Sequence, residues 1–285
     1  MNTVRNSILC LVAVLAAEVA LAQGTYTQID VPGAVSTQAI GINTAGDIVG
    51  SYQDSSNNYH GFLLSAGSYT TIDAPGSLNT SATGINDVGQ IIGSSGHAGF
   101  LYDLGTQTFT EVKFRSNGSS HTTPQGINNA GTIVGFINLK NGPVGFEFTG
   151  GTFREVVLSG YPYSTLSGIN NSDEALGTAF YVSAINFLFS QGQFFQSGVS
   201  PMDTPHGIND LNTIVGEYIS AGNTRSGFLF QNGARQRLRF PGSCSTCSSY
   251  AYGINNAGDV VGAFTDASNI THGFLWTPSS DAATK

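Results

Sequence analysis

Five histidines, His60, His97, His121, His206 and His272, are the side chains of this 285-residue sequence best suited to moving protons or binding metals near neutral pH. Tyr52 and Tyr218 each stand two residues after a recurring glycine and could bring phenol groups to the same place, although core filling is the expectation. Two readings of the imidazoles stay open: a polar, histidine-bearing mouth that binds a ligand, or rings that cap and pack at strand ends. Asp54, Glu217 and Asp266 could serve as the acids of a glycosidase or lyase, or could solvate the surface; surface solvation is the expectation. Asp30 and Asp73 occupy matching places, but the equivalent sites elsewhere hold Lys113, Val157 and Phe240, so no catalytic pair follows and no catalytic residue is assigned.

Arg235, Arg237 and Arg239 alternate with Gln236, Leu238 and Phe240, which puts three guanidinium groups on one side of an extended segment. They could dock an anionic partner, or guard a sheet edge with charge. The pair Cys244 and Cys247 has the spacing of a redox dithiol or half a metal site. A zinc site needs two further ligands and a redox site a helix N-terminus, so a small loop disulfide is expected. No GxSxG, HExxH, phosphate-binding or dinucleotide-binding context is present, and neither a metal nor a cofactor is predicted.

Charged residues make up 10% of the chain, against roughly a quarter in an ordinary soluble domain. Ten basic and eighteen acidic residues give a net charge of −8, and no Lys or Arg occurs from residue 6 to 112. Neutralising a nucleic-acid backbone is therefore excluded. The first 22 residues read as a secretory signal: Arg5, an apolar core from Ile8 to Ala17, then Ala20-Leu21-Ala22 before Gln23. Glu18 interrupts the run too early for a membrane anchor, and no later segment is apolar enough to span.

The elements that must position these side chains come from a repeat. The tripeptide GIN begins at Gly41, Gly84, Gly126, Gly168, Gly207 and Gly253, and each copy runs on through a turn residue to a closing glycine at 50, 93, 135, 177, 216 or 262. The turn slot holds Gly46, Gly89, Gly131, Asp173, Asn212 and Gly258, the residue types that tolerate positive φ. With an Asn three positions earlier, each block reads as a type I turn with a bulge, the Asn side chain capping backbone N–H groups. A Gly-Phe strand and an alternating strand complete four strands in about 42 residues, the size of a propeller blade.

The predicted fold is an all-β, six-bladed propeller over residues 23–278, with 279–285 as a tail. Strands A to D run outward from the axis, and alanines such as Ala39, Ala82 and Ala251 are expected at the crowded centre. In this phase the mature chain starts on a D strand, Tyr26 to Asp30, and ends on a C strand, His272 to Trp276, so the first strand should complete the last blade. The recurring Phe62, Phe100, Phe146, Phe187, Phe228 and Phe274 are assigned to the core.

The blocks GINxxGxIVGxY, HGFL or HAGF, and YTTIDAPGS resemble the HAF-repeat family of extracellular bacterial proteins, along nearly all the mature chain. The triplet stands as His60-Gly61-Phe62 and His272-Gly273-Phe274, and loosely as His97-Ala98-Gly99-Phe100, while Val144, Ile185 and Ser226 replace the histidine elsewhere. That loss argues against a ring of six imidazoles. The resemblance implies secretion and repeat architecture, without an established activity; lacking the family's Pro-Glu-Pro sorting tail, the chain is expected to be released or periplasmic. The function expected from these features is a non-enzymatic module that binds an extracellular glycan or protein. The alternatives are a polysaccharide lyase or hydrolase, and a structural envelope component.

Overall fold

A computed structural model of the chain describes residues 23–114, 121–220, 223–241, 244 and 246–279. The expected signal at 1–22 and residues 280–285 of the expected tail lie outside them. Strand β1 (Gly24–Ile29) precedes the first complete blade, which is β2 (Ser36–Ile42), β3 (Ile48–Gln53), β4 (Tyr59–Ser65) and β5 (Ser68–Ile72). Blade 2 is β6 (Thr80–Ile85), β7 (Gln90–Ser95), β8 (Ala98–Asp103) and β9 (Thr108–Val112). Blade 3 is β10 (His121–Ile127), β11 (Ile133–Leu139), β12 (Gly142–Thr149) and β13 (Thr152–Val156). Blade 4 follows as β14 (Tyr163–Ile169), β15 (Ala175–Phe180), β16 (Ala184–Ser190) and β17 (Gln193–Gln196). Blade 5 is β18 (Thr204–Ile208), β19 (Ile214–Ile219), β20 (Arg225–Gln231) and β21 (Ala234–Leu238). Blade 6 holds β22 (Ser249–Ile254), β23 (Val260–Thr265) and β24 (Thr271–Pro278), and takes β1 as its fourth strand.

The fold is therefore the six-bladed propeller of four-stranded antiparallel sheets that the repeat predicted. β1 runs antiparallel to β24 with Tyr26 opposite Trp276, so the two ends of the ring are zipped together as expected. Tyr26 anchors that closure. Its hydroxyl accepts a hydrogen bond from the Arg239 backbone N–H at 2.9 Å, its ring packs on Phe240 and Phe274, and burial pushes its pKa up to about 12.

Local backbone chemistry explains why every blade looks alike. All six turn slots have positive φ, from 56° at Asn212 to 88° at Gly258, as the residue types required. Each closing glycine is needed for space: a Cβ at Gly50 would collide with the Gln38 carbonyl and the Phe62 ring, and Gly216 repeats this with the Thr204 carbonyl and Phe228. The six recurring rings, five after a glycine and Phe187 after Asn186, are 0–3% exposed and form the core between sheets. Burying a ring of this kind stabilises the fold by about 1.5–3 kcal/mol.

One expectation about the axis is corrected. Every A strand carries a one-residue bulge before its GIN glycine, for example between Ala39 and Gly41. The bulge shifts the alternation, so Ala39, Ala82 and Ala251 turn into the blade-to-blade core and the glycines meet at the centre. A Cβ on Gly41 would lie 2.9 Å from the Gly84 Cα, and one on Gly126 3.0 Å from the Gly168 Cα. The skipped residues, Ile40, Thr83, Gln125, Ser167, His206 and Tyr252, line the channel instead.

Up-and-down strands put the A-to-B and C-to-D turns on one face and the D-to-A and B-to-C connections on the other. On the turn face the GIN asparagines, 3–5% exposed, do more than cap their own turns. Each Oδ1 accepts the backbone N–H four residues on, as from Asp47 to Asn43 at 2.8 Å. Each Nδ2 donates to the backbone carbonyl of the next blade's asparagine at 3.0–3.5 Å: 43 to 86, 86 to 128, 128 to 170, 170 to 209, 209 to 255, and 255 back to 43. The sequence reading found the caps and missed this closed ring.

Candidate functional site

The structure sorts the five predicted histidines into three arrangements. His206 is the bulged residue of β18 and lines the channel, where its Nε2 lies 3.3 Å from the Glu217 carboxylate on β19. Arg225, at the start of β20, holds the other oxygen of Glu217, and the Tyr252 ring stands edge-on to His206 with centroids 5.3 Å apart. Glu217 is 7% exposed, so solvation of a surface acid does not describe it. Burial works to raise its pKa, but hydrogen bonding to His206 and the Arg225 charge outweigh burial and keep the carboxyl below its usual range. Burial, with Glu217 beside it, holds the Tyr252 phenol protonated well above neutral pH. The channel volume beside this cluster is about 100 Å³.

His60 and His272 share a second arrangement, each clamped between two aspartates. His60 Nδ1 lies 2.9 Å from Asp73 Oδ2 at the end of β5, and its Nε2 lies 3.4 Å from Asp54 Oδ2 in the B-to-C loop. His272 repeats this with Asp30, 2.9 Å from Nδ1, and with Asp266, 3.5 Å from Nε2. Each imidazole also stacks on an aromatic ring, Tyr52 at 5.1 Å and Phe264 at 5.2 Å between centroids. The Asp73 hydrogen bond raises the His60 pKa against burial, with Asp54 adding to the rise. Asp54 and Asp266 are loop caps rather than merely solvated groups: Asp54 Oδ1 accepts from Ser56 and Asn58 N–H, Asp266 Oδ1 from Ser268 and Ile270 N–H.

His97 and His121 meet across blades 2 and 3, His97 Nδ1 against His121 Nε2, with the rings edge to face. No group of three or more metal-ligating side chains forms among the described residues.

The arginine stripe is engaged internally. Arg235 forms an ion pair with Asp203, whose side chain is 8% exposed, at 2.7 Å, and covers the Tyr218 ring at 4.1 Å. Tyr218 thereby packs against the core between blades 4 and 5. Arg237 reaches the Ser226 hydroxyl at 3.2 Å, and Arg239 donates to the Cys244 carbonyl. Cys244 and Cys247 are joined in the expected disulfide, with Cα atoms 5.0 Å apart.

Between blades 6 and 1 the loop face opens into a cleft of about 270 Å³. Tyr52, Gln53 and Tyr59 form one wall, Asn269, Ile270 and Thr271 the other, and Val35, Ser36, Gln38 and Ser51 the floor. Sequence reasoning placed Tyr52 near a mouth and missed the rest of this cleft. A signal was available: a B-to-C aspartate, a histidine opening the C strand and an aspartate closing the D strand occur together only in blades 6 and 1.

No family model matches the sequence, and no curated protein matches it. Solved structures do share its architecture. The chain superposes on TolB from Acinetobacter baumannii with a TM-score of 0.56 at 12% identity, covering 88% of this chain but only 65% of that one. Regucalcin from Agrobacterium tumefaciens, described as a calcium-binding protein, gives 0.57 at 10% identity, with 91% and 95% covered. A gluconolactonase from Xanthomonas campestris gives 0.54 at 11% identity, with 92% and 98% covered. At these identities the likeness shows the fold alone.

Proposed function

We propose that this chain is an exported HAF-repeat propeller that recognises an extracellular glycan or protein partner through its loop face, without turning it over. The observation that carries the reading is the internal matching of its shielded acids. Glu217 is held by His206 and Arg225, and Asp203 by Arg235, so neither is left as a free general acid or base. The narrow channel adds to this, because sites for drug-sized ligands occupy roughly 300–1,000 Å³. The signal at 1–22 and the Cys244–Cys247 disulfide support an oxidising location outside the cytoplasm, and no helix among the described residues is long and apolar enough to cross a membrane.

The test is a binding screen of the mature chain on glycans and envelope proteins, with product analysis of every hit. Binding without product is expected; chain cleavage of any bound polysaccharide overturns the reading. In that event His206 and Tyr252 are the groups to replace first, because both line the channel beside Glu217.

A further inference from the structure

The cleft between blades 6 and 1 has three properties that together specify a ligand class. Its two walls are fixed before anything binds. The blade 1 wall is held by Asp54, which caps residues 56 and 58 and is tied through His60 to Asp73. The blade 6 wall is held in the same way by Asp266, His272 and Asp30. Preformed walls spare a ligand the entropy of ordering loops. The two blades that carry Asp–His–Asp clamps are the two that flank the cleft.

Second, the lining carries no charge. None of its ten residues is Asp, Glu, Lys, Arg or His, although the protein as a whole has a net charge of −8. A charged ligand would lose hydration there and gain no counter-ion. Third, apolar surface and amide groups alternate. Val35, Tyr59 and Ile270, 50%, 47% and 41% exposed, stand beside the Gln38, Gln53 and Asn269 amides. An apolar or aromatic surface suits the C–H face of a sugar ring, and amides suit its ring of hydroxyls, each able to donate and accept.

The backbone of the walls offers little to a peptide. The Gln53 carbonyl accepts the Val35 N–H at 2.8 Å, the Tyr59 N–H donates to Asn79 Oδ1 at 2.9 Å, and the Ile270 carbonyl accepts the Asp266 N–H at 2.9 Å. Strand addition, the mode by which extended peptides bind sheets, therefore finds these groups occupied. The volume, just under the roughly 300 Å³ lower bound for drug-sized sites, suits one sugar ring with part of its neighbour.

From these properties, and resting on the recognition reading above, we infer that the seam between blades 6 and 1 is a binding site for an uncharged saccharide residue, gripped between Tyr59 and Ile270 and hydrogen-bonded by Gln38, Gln53 and Asn269.

The experiment titrates the mature chain with neutral oligosaccharides of hexose, deoxyhexose and N-acetylhexosamine type, beside uronate-containing and sialylated ones, using saturation-transfer NMR and calorimetry. Tyr59→Ala and Gln53→Ala are compared with Leu211→Ser, an exposed turn-face position, and circular dichroism checks that each variant is folded. Binding of a neutral sugar that weakens about tenfold or more in both cleft variants and is unchanged in Leu211→Ser is expected. Binding confined to acidic sugars, neutral binding indifferent to Tyr59 and Gln53, or no saccharide binding at all overturns the inference. Each of those leaves the recognition reading open to a protein partner. Cleavage of a bound sugar overturns the recognition reading while leaving the cleft assignment to be judged by the variants.

Discussion

The two faces of the ring obey different rules. On the turn face six asparagines repeat one arrangement, each bonded to its own turn and to the next blade. On the loop face the blades diverge, and among the described residues only blades 6 and 1 share a clamp. The difference follows from where blades touch: at the axis the A strands approach within glycine distance, so any blade that departs from the pattern breaks the ring. Loops facing solvent bear no such constraint, and side chains there are free to serve a ligand.

The sharpest way to break the comparison is Asn128→Ala. It removes a donor to the Asn170 carbonyl and to Asp173, and an acceptor for the buried Thr132 N–H. A stability loss of about 2–4 kcal/mol in chemical denaturation is expected, with sugar binding by the folded protein unchanged. A loss within about 0.5 kcal/mol of zero would show that the asparagine ring does not hold the blades together.

Arg235→Gln comes next, because it strands the shielded Asp203. Burial already raises the Asp203 pKa despite Arg235, so without that charge the ionised carboxylate destabilises the fold above the ordinary carboxylate range. A cost of about 1–3 kcal/mol at pH 7, shrinking as pH falls and Asp203 takes up a proton, is expected from denaturation curves at several pH values. A cost that does not vary with pH would assign the effect to lost packing on Tyr218 instead.

His60→Gln should have the smallest effect and a distinctive pH profile. The raised His60 pKa means that its clamp stabilises fully below the unfolded value of about 6.5 and fades as pH rises through the folded value. Asp54 is held below the usual carboxylate range first by the Asn58 backbone N–H and only in part by His60, so only that part, present above the ordinary carboxylate pKa and lost as pH falls through the depressed one, goes with the histidine. The melting temperatures of wild type and variant should therefore differ most between about pH 4 and 6.5 and converge as pH rises through the raised His60 value. A difference that grows with pH would contradict the clamp.

What the sequence made legible was whatever is written into one blade. Positive φ at Gly46 or Asn212, the place of Phe62 in the core, and the phase that sends β1 to the last blade all follow from local residue types and their order. The Asn43 to Asn86 bond was not legible, because its partner lies 43 residues away and the capping role already accounted for the residue. His60, Asp54 and Asp73 were each noticed, yet joining them required the register of three adjacent strands. His97 shows the limit of reading by motif: it sits one place out of phase, since Ala98 is the true counterpart of His60, and it meets His121 instead of an aspartate.

The bond from Asn255 back to Asn43 spans 212 residues, and β1 waits still longer for β24. A ribosome must therefore reach blade 6 before either contact can exist. Until then the nascent arc of blades leaves an apolar sheet face bare at each end, so the arrival of blade 6 decides whether synthesis yields a sealed ring or a sticky fragment.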